Sequence, residues 1–390
     1  MLIKNVLTSI SESFNYKDKT NVVFLNTGDI LEGKFLHSNF SDVKTLPGQA
    51  KKSIKHNDIL YSEIRPINKH FALVNFEETN NYVVSTKLMV LRNISESYNT
   101  KFIYQYLTSD KVIYDLQTMA ESRSGTFPQI TYEQLSTIDL PDISLDEQQH
   151  IVNILGSIDE KIENNDLLSQ KYESFLKNLY LKYFSKNNID LSNYTQYNLT
   201  DLANFTGGYS YKGSELVPSS YGLLTIKNFD RNTGFKLDGF KDLSQENKAK
   251  NNQYIDQFDI VVAHTDLTQN AEIIGNAEIV LNNSSYEKLV ASMDLVIVRP
   301  KELISNSLLY ILLHNPDFKK HALGYCAGTT VLHLNKRALN EYVVYIPKDK
   351  NIKNKLEDIV DKIIKKQASL IKQNIILNKL KSLYLKKFFG

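Results

Sequence analysis

The chain has 390 residues and a formal net charge of +2, and its length predicts two or three domains of roughly 150 residues each. The composition, 42% apolar and 23% charged, is typical of a globular protein and excludes a largely disordered chain. No run of about 18 apolar residues is present, which excludes a transmembrane helix. The start lacks the pattern of a signal peptide and the only cysteine is Cys326, so we expect a cytoplasmic protein.

Positive charge is concentrated near the end of the sequence. Residues 347–390 carry 12 basic and 4 acidic side chains, whereas the residues before them are net acidic. A strongly basic globular domain, which is usual in a protein that binds nucleic acid by itself, is therefore absent from the sequence.

Residues 1–145 are predicted to form a mixed α/β domain. Short runs of β-branched and apolar residues predict strands at 58–62, 82–85 and 88–91, and a helical pattern covers 102–118.

A long helix is predicted over residues 146–187. Asp146 and Glu147 place acidic groups at its N-terminus, where the helix dipole favours them. Apolar residues then follow at alternating steps of four and three, the period of a coiled-coil seam, which polar Asn165 and Ser169 interrupt. The predicted pairing residues of this helix are Ile151, Leu155, Ile158, Ile162, Tyr172, Leu176 and Leu179.

Residues 188–347 are predicted to form a linker and a second mixed domain, with strands at 260–263 and 295–298 and a helical pattern over 307–323. A second long helix is predicted over residues 348–390. Its seam also has polar positions, at Gln367, Asn374 and Lys381. The predicted pairing residues of this helix are Leu356, Val360, Ile363, Leu370, Leu377 and Tyr384.

The two halves of the chain are copies of one another. LYLKYF at 179–184 recurs as LYLKKF at 383–388, an offset of 204 residues. Four shorter matches follow in the same order, among them NDIL at 57–60 with FDIV at 258–261. Each copy is thus a globular domain followed by a helix of about 40 residues, roughly 60 Å long. Each helix could cap its own domain or pair with the other helix, and the matched seams favour antiparallel pairing.

The residues give no support for catalysis or for a metal site. NPDF at 315–318 is similar to the catalytic tetrad of adenine methyltransferases, but no glycine-rich cofactor loop accompanies it. The eight histidines lack the spacing of a zinc site. Asp58 and Asp259 occupy matched positions before apolar strands, which favours turn residues over paired catalytic carboxylates.

Four stretches resemble the DNA specificity subunit of Type I restriction-modification systems. The most specific is LPDISLDEQQHIVNILGSIDEKIE at 140–163, which is similar to the family's entry into its first long helix. The others are NDILYSEIRP at 57–66, LTDLANFTGGY at 199–209 and GTTVLHLN at 328–335.

The resemblance implies an α+β fold with two tandem target recognition domains, each followed by a long helix, and with the helices paired as an antiparallel coiled coil. Each domain would read one half of a split asymmetric sequence in double-stranded DNA, and the helices would set the spacer between the halves. Two modification subunits would dock on the helices and supply S-adenosylmethionine, and restriction subunits, where present, would use ATP. This chain would bind no cofactor and catalyse no reaction.

Base contacts require loop side chains that match base edges: Arg or Lys for guanine, Asn or Gln for adenine, and Ser or Thr for either. The predicted contacts of the first domain are Lys51, Lys52, Arg65, Lys69, Arg123, Ser124, Thr126 and Gln129. Those of the second are Tyr211, Lys212, Lys227, Asn228, Arg231, His264, Thr265, Gln269, Thr330 and His333. The alternative function is a duplicated coiled-coil scaffold that binds two protein partners without DNA.

Overall fold

Two compact units make up the chain. The computed structural model describes residues 1–122, 127–230, 234–268 and 270–390. The first unit comprises Met1–Lys161 with Leu377–Gly390, and the second comprises Ile162–Ile376. These units divide the chain differently from the four segments expected from the sequence, because each unit contains a stretch of both long helices.

The first unit has two four-stranded sheets with helices on one side. Its strands are β1 (Leu7–Ile10), β2 (Asn21–Leu25), β3 (Ile30–Leu31), β4 (Lys34–Phe35), β5 (Phe40–Asp42), β6 (Ala50–Ser53), β7 (Ile59–Ser62), β8 (Phe71–Leu73), β9 (Tyr82–Ser85) and β10 (Leu88–Asn93). Its helices are α1 (Thr100–Leu107), α2 (Asp110–Glu121), α3 (Tyr132–Leu135) and the start of α4 (Leu145–Tyr183). The sheet orders are β1-β10-β7-β8 and β5-β2-β9-β6.

Strand β7 shows why these residues form a central strand. Its side chains alternate between two cores: Ile59 and Tyr61 pack with Phe102 of α1, whereas Leu60 packs with Val84 of the second sheet. Because both faces are covered, all four residues of β7 are buried, which explains its continuous apolar run.

The second unit repeats this arrangement. Its strands are β11 (Tyr194–Asn198), β12 (Ala203–Gly207), β13 (Tyr221–Leu224), β14 (Lys241–Leu243), β15 (Tyr254–Ile255), β16 (Ile260–Ala263), β17 (Thr265–Asp266), β18 (Ala277–Ile279), β19 (Lys288–Ala291), β20 (Leu295–Pro300), β21 (Cys326–Ala327), β22 (Leu332–Leu334) and β23 (Val343–Pro347). Its helices are α5 (Leu199–Leu202), α6 (Asn306–Leu313), α7 (Pro316–Leu323), α8 (Arg337–Asn340) and most of α9 (Lys350–Phe389). Sheets β12-β20-β16-β18 and β14-β13-β19-β15 correspond to the two large sheets of the first unit. The predicted duplication is confirmed by this shared topology.

The matched aspartates hold the central strands of both units. In the first unit, Asp58 is fully buried and accepts two hydrogen bonds from Arg92, at 2.7 and 2.8 Å. In the second, Asp259 accepts from Arg299 at 2.6 and 3.2 Å. The preceding residue has a positive φ in both copies. These carboxylates are therefore structural, as the turn interpretation predicted.

The two long helices also complete the cores of the domains. In the first unit, Leu155 of α4 and Phe389 of α9 pack with Phe102. In the second, Leu176 of α4 and Val360 of α9 belong to one cluster. Most predicted seam residues are buried, namely Ile151, Leu155, Ile158, Leu176, Leu179, Leu356, Val360, Ile363 and Leu370. Those at intermediate exposure are Ile162, Tyr172, Leu377 and Tyr384.

Polar side chains join the helices at the interruptions of the seam. In the second unit, Asn165 donates to Asn374 at 2.8 Å, Asn374 donates to Asp166 at 2.8 Å, and Gln367 donates to Glu173. Residue numbers fall on α9 as they rise on α4, so the predicted antiparallel pairing is confirmed. Buried polar seam residues of this kind favour one register over its neighbours.

In the first unit, Lys381 of α9 lies 2.6 Å from Asp159 of α4.

Within the described parts of the chain, no helix has the length and apolar character needed to cross a membrane.

Candidate nucleic-acid interface

The first unit has a loop at the end of β7 that is held against residues 127–130. Ile64 bridges to Gln129, Ile130 N donates to Glu63 O at 2.9 Å, and Arg65 N donates to Pro128 O at 3.1 Å. The topology thus brings predicted base contacts that are about 60 residues apart in the sequence, Arg65 and Gln129, onto one surface, which we call surface 1.

The second unit has the same construction at the end of β16. Thr265 pairs with His333, and Leu334 N donates to His264 O at 2.9 Å. The small sheet β17-β22-β21 therefore brings His264, His333 and the exposed hairpin residue Thr330 together, and we call this surface 2. Gly328 shapes the hairpin with a φ of 137°, and a Cβ there would lie 2.0 Å from Val331 O.

Surface 1 is rich in cationic groups. The Lys87 ammonium lies 3.5 Å from Gln129 Oε1 and 3.6 Å from the Glu63 carboxylate. Arg65 is exposed, and its guanidinium lies 5.8 Å from the ring centre of Phe127, which is 63% exposed. An Arg stacked on an aromatic ring keeps its N–H donors free at the edge of the plane, where they can meet phosphate or guanine.

Two other lysines near this surface have partners within the protein. Burial lowers the pKa of Lys52, whose ammonium donates to Leu88 O at 2.9 Å. Lys69 lies 3.1 Å from Glu32 and 4.0 Å from Asp110. Both lysines therefore help to hold the local structure, whereas Lys51 is exposed on β6.

Surface 2 presents imidazoles instead. Burial and the neighbouring charges of His333 and Lys336 lower the pKa of His264. At neutral pH this ring is therefore an uncharged donor and acceptor, while the His333 side chain is exposed on β22. The two surfaces consequently share a backbone framework but differ in the chemistry that they present.

The structure contradicts the prediction for Asn228 and Thr265. Asn228 is fully buried; its amide nitrogen donates to Lys236 O, and its oxygen accepts from Thr225 N. Thr265 is only 5% exposed, and its hydroxyl donates to the Asp294 carboxylate at 2.9 Å. Both side chains stabilise turns and are not accessible to a base edge.

The remaining predicted contacts of the second unit lie in other parts of the domain or outside the described residues. Tyr211 packs beside the sheet that contains β13, and its ring lies 5.5 Å from the Lys241 ammonium. Lys212 and Lys227 are exposed at short turns. The predicted contacts outside the described residues are Arg123, Ser124 and Thr126 of the first unit and Arg231 and Gln269 of the second.

Sequence reasoning missed Lys87 and Phe127 on surface 1 and Lys336 beside surface 2. Lys87 lies between two core strands in the sequence, and in the structure the hydrogen bond from Glu63 N to Lys87 O places it at this edge. Phe127 directly follows the predicted contacts at 123–126, and this position in the sequence could have indicated that it lies on the same surface.

A buried ionic network joins the second domain to both long helices. His314 Nε2 lies 2.8 Å from Glu173 of α4, and His314 Nδ1 lies 3.8 Å from Glu278 of β18. Glu173 also accepts from Gln367 of α9. The Glu278 carboxylate accepts from Gly234 N at 3.0 Å.

Burial and charge compete in this network. Burial alone lowers the pKa of His314, but the carboxylates of Glu278 and Glu173 outweigh it and raise the pKa to about 10. Burial raises the pKa of Glu278 to about 7 against the opposing effect of His314. For Glu173, burial opposes ionisation, but the hydrogen bond and charge of His314 lower its pKa overall.

Residues 314–318 therefore have a structural role. Asn315 caps α7 by accepting from Phe318 N at 2.9 Å, and Asp317 accepts from the hydroxyls of Tyr180 and Ser185. Among the described residues, no group of three or more potential ligands is arranged to hold a metal ion.

Part of the chain is similar in sequence to known proteins. Residues 3–174 match the family model described as the Type I restriction modification DNA specificity domain. Over 180 residues the chain is 43% identical to the Type I restriction enzyme HindI specificity subunit of Haemophilus influenzae, a match that covers 46% of this chain. The chain spans about two fifths, 39%, of the length of that curated relative.

One solved structure shares the fold at low sequence identity, and a second is less similar. The Type I restriction-modification S subunit from M. genitalium has a TM-score of 0.55 and is 16% identical, over 100% of this chain and 95% of that one. The HsdS subunit from Thermoanaerobacter tengcongensis has a TM-score of 0.40 and is 17% identical, over 100% and 95% of the two chains.

Proposed function

We propose that this chain is the DNA-recognition subunit of a Type I restriction-modification complex, because residues 3–174 match the model of the DNA specificity domain of that family. The observation that carries the proposal is the pair of matched surfaces. Surfaces 1 and 2 have the same backbone framework at the ends of β7 and β16, but one presents Arg65 and Gln129 and the other presents His264 and His333.

Surfaces 1 and 2 share a backbone framework but present different side chains, which accounts for a split site whose two halves differ in sequence. Arg and Gln pair naturally with guanine and adenine edges, whereas imidazole can donate to or accept from several bases. Each surface reads one half-site.

The near-neutral charge of the chain fits a subunit that works within a complex. A protein that binds DNA alone must neutralise several phosphates and then shows steep salt dependence. Here, partner subunits supply much of that phosphate contact, and this chain supplies base contacts. Contacts to phosphate position a protein on DNA, whereas contacts to bases select the sequence.

The paired helices set the spacer and bind the partners. Two half-sites on one face of DNA lie about one helical turn, roughly 34 Å, apart, and helices of about 40 residues are long enough to span that distance. Two modification subunits dock on α4 and α9 and bind S-adenosylmethionine, and restriction subunits, where present, use ATP. The chain itself acts in the cytoplasm, binds neither cofactor and catalyses no step.

A genome-wide map of N6-methyladenine tests this proposal. The map is made in the native host with and without the gene, and with the gene restored. We expect deletion to erase methylation at one split asymmetric motif and restoration to return it. An unchanged map, together with co-purification of two protein partners and no salt-sensitive footprint on DNA, would favour the scaffold that joins proteins without DNA.

A further inference from the structure

Each candidate surface exposes one large aliphatic side chain on its central loop. Ile67 of surface 1 is 53% exposed, and Leu267 of surface 2 is 67% exposed. The two residues occupy nearly matching positions. Ile67 lies three residues after Ile64, which pairs with Gln129, and Leu267 lies two residues after Thr265, which pairs with His333. Single exposed apolar residues are common, so their recurrence at matched positions of the two units is the informative feature.

The loop that carries Ile67 is held from several sides. Pro66–Asn68 forms a short 3-10 turn, and the residues on either side of it have φ values of 42° and 57°. Ile67 N donates to the side chain of Gln117 on α2 at 3.2 Å. The loop therefore presents Ile67 in a fixed direction, which lowers the entropy cost of a contact made there.

The loop that carries Leu267 is anchored by the buried Asp266 and the partly buried Lys319. Asp266, which is 2% exposed, accepts from Thr268 N, Ile273 N and Ile274 N at 2.7 to 3.1 Å. Lys319 donates to the carbonyl oxygens of Ala271, Glu272 and Ile274. These bonds fix Asp266, which directly precedes Leu267, and the segment from Ala271 to Ile274 to the domain, so the exposed Leu267 side chain adjoins an anchored residue.

The groups that DNA displays in its grooves indicate what an exposed aliphatic side chain can contact. The 5-methyl group of thymine is the apolar group that the major groove displays beside its donors and acceptors, and aliphatic side chains contact it. We propose that Ile67 and Leu267 each contact the 5-methyl group of a thymine in the half-site read by their own unit. This inference rests on the proposed function. It adds an apolar contact to the polar ones on each surface and makes both loops determinants of specificity.

Uracil substitution tests the contact one methyl group at a time. The chain is purified in complex with its modification subunits, and methylation rates are measured on duplexes in which each thymine of the motif is replaced in turn by uracil. We expect one thymine per half-site, other than the partner of the target adenine, at which uracil slows methylation. Losing one methyl contact should cost about three- to tenfold.

The variants assign each thymine to its loop. Ile67→Ala should abolish the uracil penalty in one half-site and leave the other penalty intact, and Leu267→Ala should do the reverse. Ile67→Val, which keeps a branched aliphatic group, should retain the penalty. Melting temperatures should remain close to wild type, because both side chains are exposed.

Matched controls come from exposed aliphatic residues at the opposite ends of the same sheets. Ile94 is 60% exposed and follows β10, whose first residue, Leu88, pairs with Ser62 at the surface 1 end. Leu303 is 54% exposed and follows β20, whose first residue pairs with Ala263 at the surface 2 end. Ile94→Ala and Leu303→Ala should leave both uracil penalties unchanged.

The outcomes separate the two levels of the proposal. A complex that methylates its motif but shows no uracil penalty, or keeps both penalties in the alanine variants, overturns the methyl contact alone. A complex that methylates no specific sequence overturns the proposed function and this inference with it.

Discussion

Replacing His314 by Gln should destabilise the second unit and change how its stability depends on pH. The imidazole lies between two carboxylates, 2.8 Å from Glu173 and 3.8 Å from Glu278. Removing one partner of a buried ion pair costs about 3–5 kcal/mol, because the remaining charge stays buried without compensation. Since the Glu173 side chain is 20% exposed, we expect a loss near the lower end of that range at pH 7.

The sign of the pH dependence follows from the pKa of each group. The pKa of His314 rises from 6.5 to about 10, so its stabilising contribution is complete below about pH 6.5 and is lost as the pH rises through 10. Glu278 also has a raised pKa, about 7, and its contribution is lost between about pH 4.5 and 7. Glu173 has a lowered pKa, so its contribution is present above about pH 4.5 and is lost as the pH falls.

Above pH 7 the His314 proton is therefore the main difference between wild type and His314→Gln within this network. The difference in unfolding free energy between the two proteins should therefore shrink as the pH rises from 7 to about 10.

Urea denaturation of the full chain, followed by far-UV circular dichroism at pH 6.5, 8 and 9.5, measures this difference. His321→Gln is the matched control, because His321 Nε2 lies 2.9 Å from the carbonyl oxygen of Ala338 instead of a carboxylate. A loss for His314→Gln below about 1 kcal/mol at pH 6.5, or one that stays constant between pH 6.5 and 9.5, would refute this account of the network.

Three further predictions concern the frame of the domains and the helices. Asp58→Asn should cost about 1.5–3 kcal/mol in urea denaturation, because a fully buried carboxylate loses its charge-assisted bonds with Arg92; a loss under 0.5 kcal/mol would contradict this. Leu155→Ala should cost about 2–5 kcal/mol in the same assay, since Leu155 is fully buried. An unchanged denaturation midpoint would contradict this and show that the surrounding side chains close around the smaller residue. Inserting seven residues in both helices, beside Asn165 and Asn374, should lengthen the unread spacer of the methylated motif by about 3 base pairs, from roughly 10 Å of added helix. An unchanged spacer would exclude the helices as its determinant.

The sequence by itself determined the features that depend on local period and on repetition. Steps of four and three predicted both long helices, because a seam of that period can be buried only along one face of a helix. The run at 58–62 predicted a strand, because its successive apolar residues, Ile59 to Tyr61, favour a short buried strand. The recurrence of short motifs about 200 residues apart predicted two copies of one domain, which the matched sheet orders confirm.

Only the tertiary structure decided which polar side chains remain accessible. Asn228 and Thr265 have the residue types of base contacts, but both side chains are buried: Asn228 is bonded to backbone groups and Thr265 to the Asp294 carboxylate, each within 3 Å. A residue type states which hydrogen bonds a side chain can make, whereas the fold decides which partner is nearest.

The tertiary structure also decided which distant segments form a surface. Arg65 meets the segment of Gln129, and His264 meets that of His333, through bridges between residues about 65 to 70 positions apart. The long helices, each one segment in the sequence, contribute to the cores of both units, because the seam that pairs them continues into faces that the domains cover. Periodicity shows that a face is buried; only the folded chain shows what buries it.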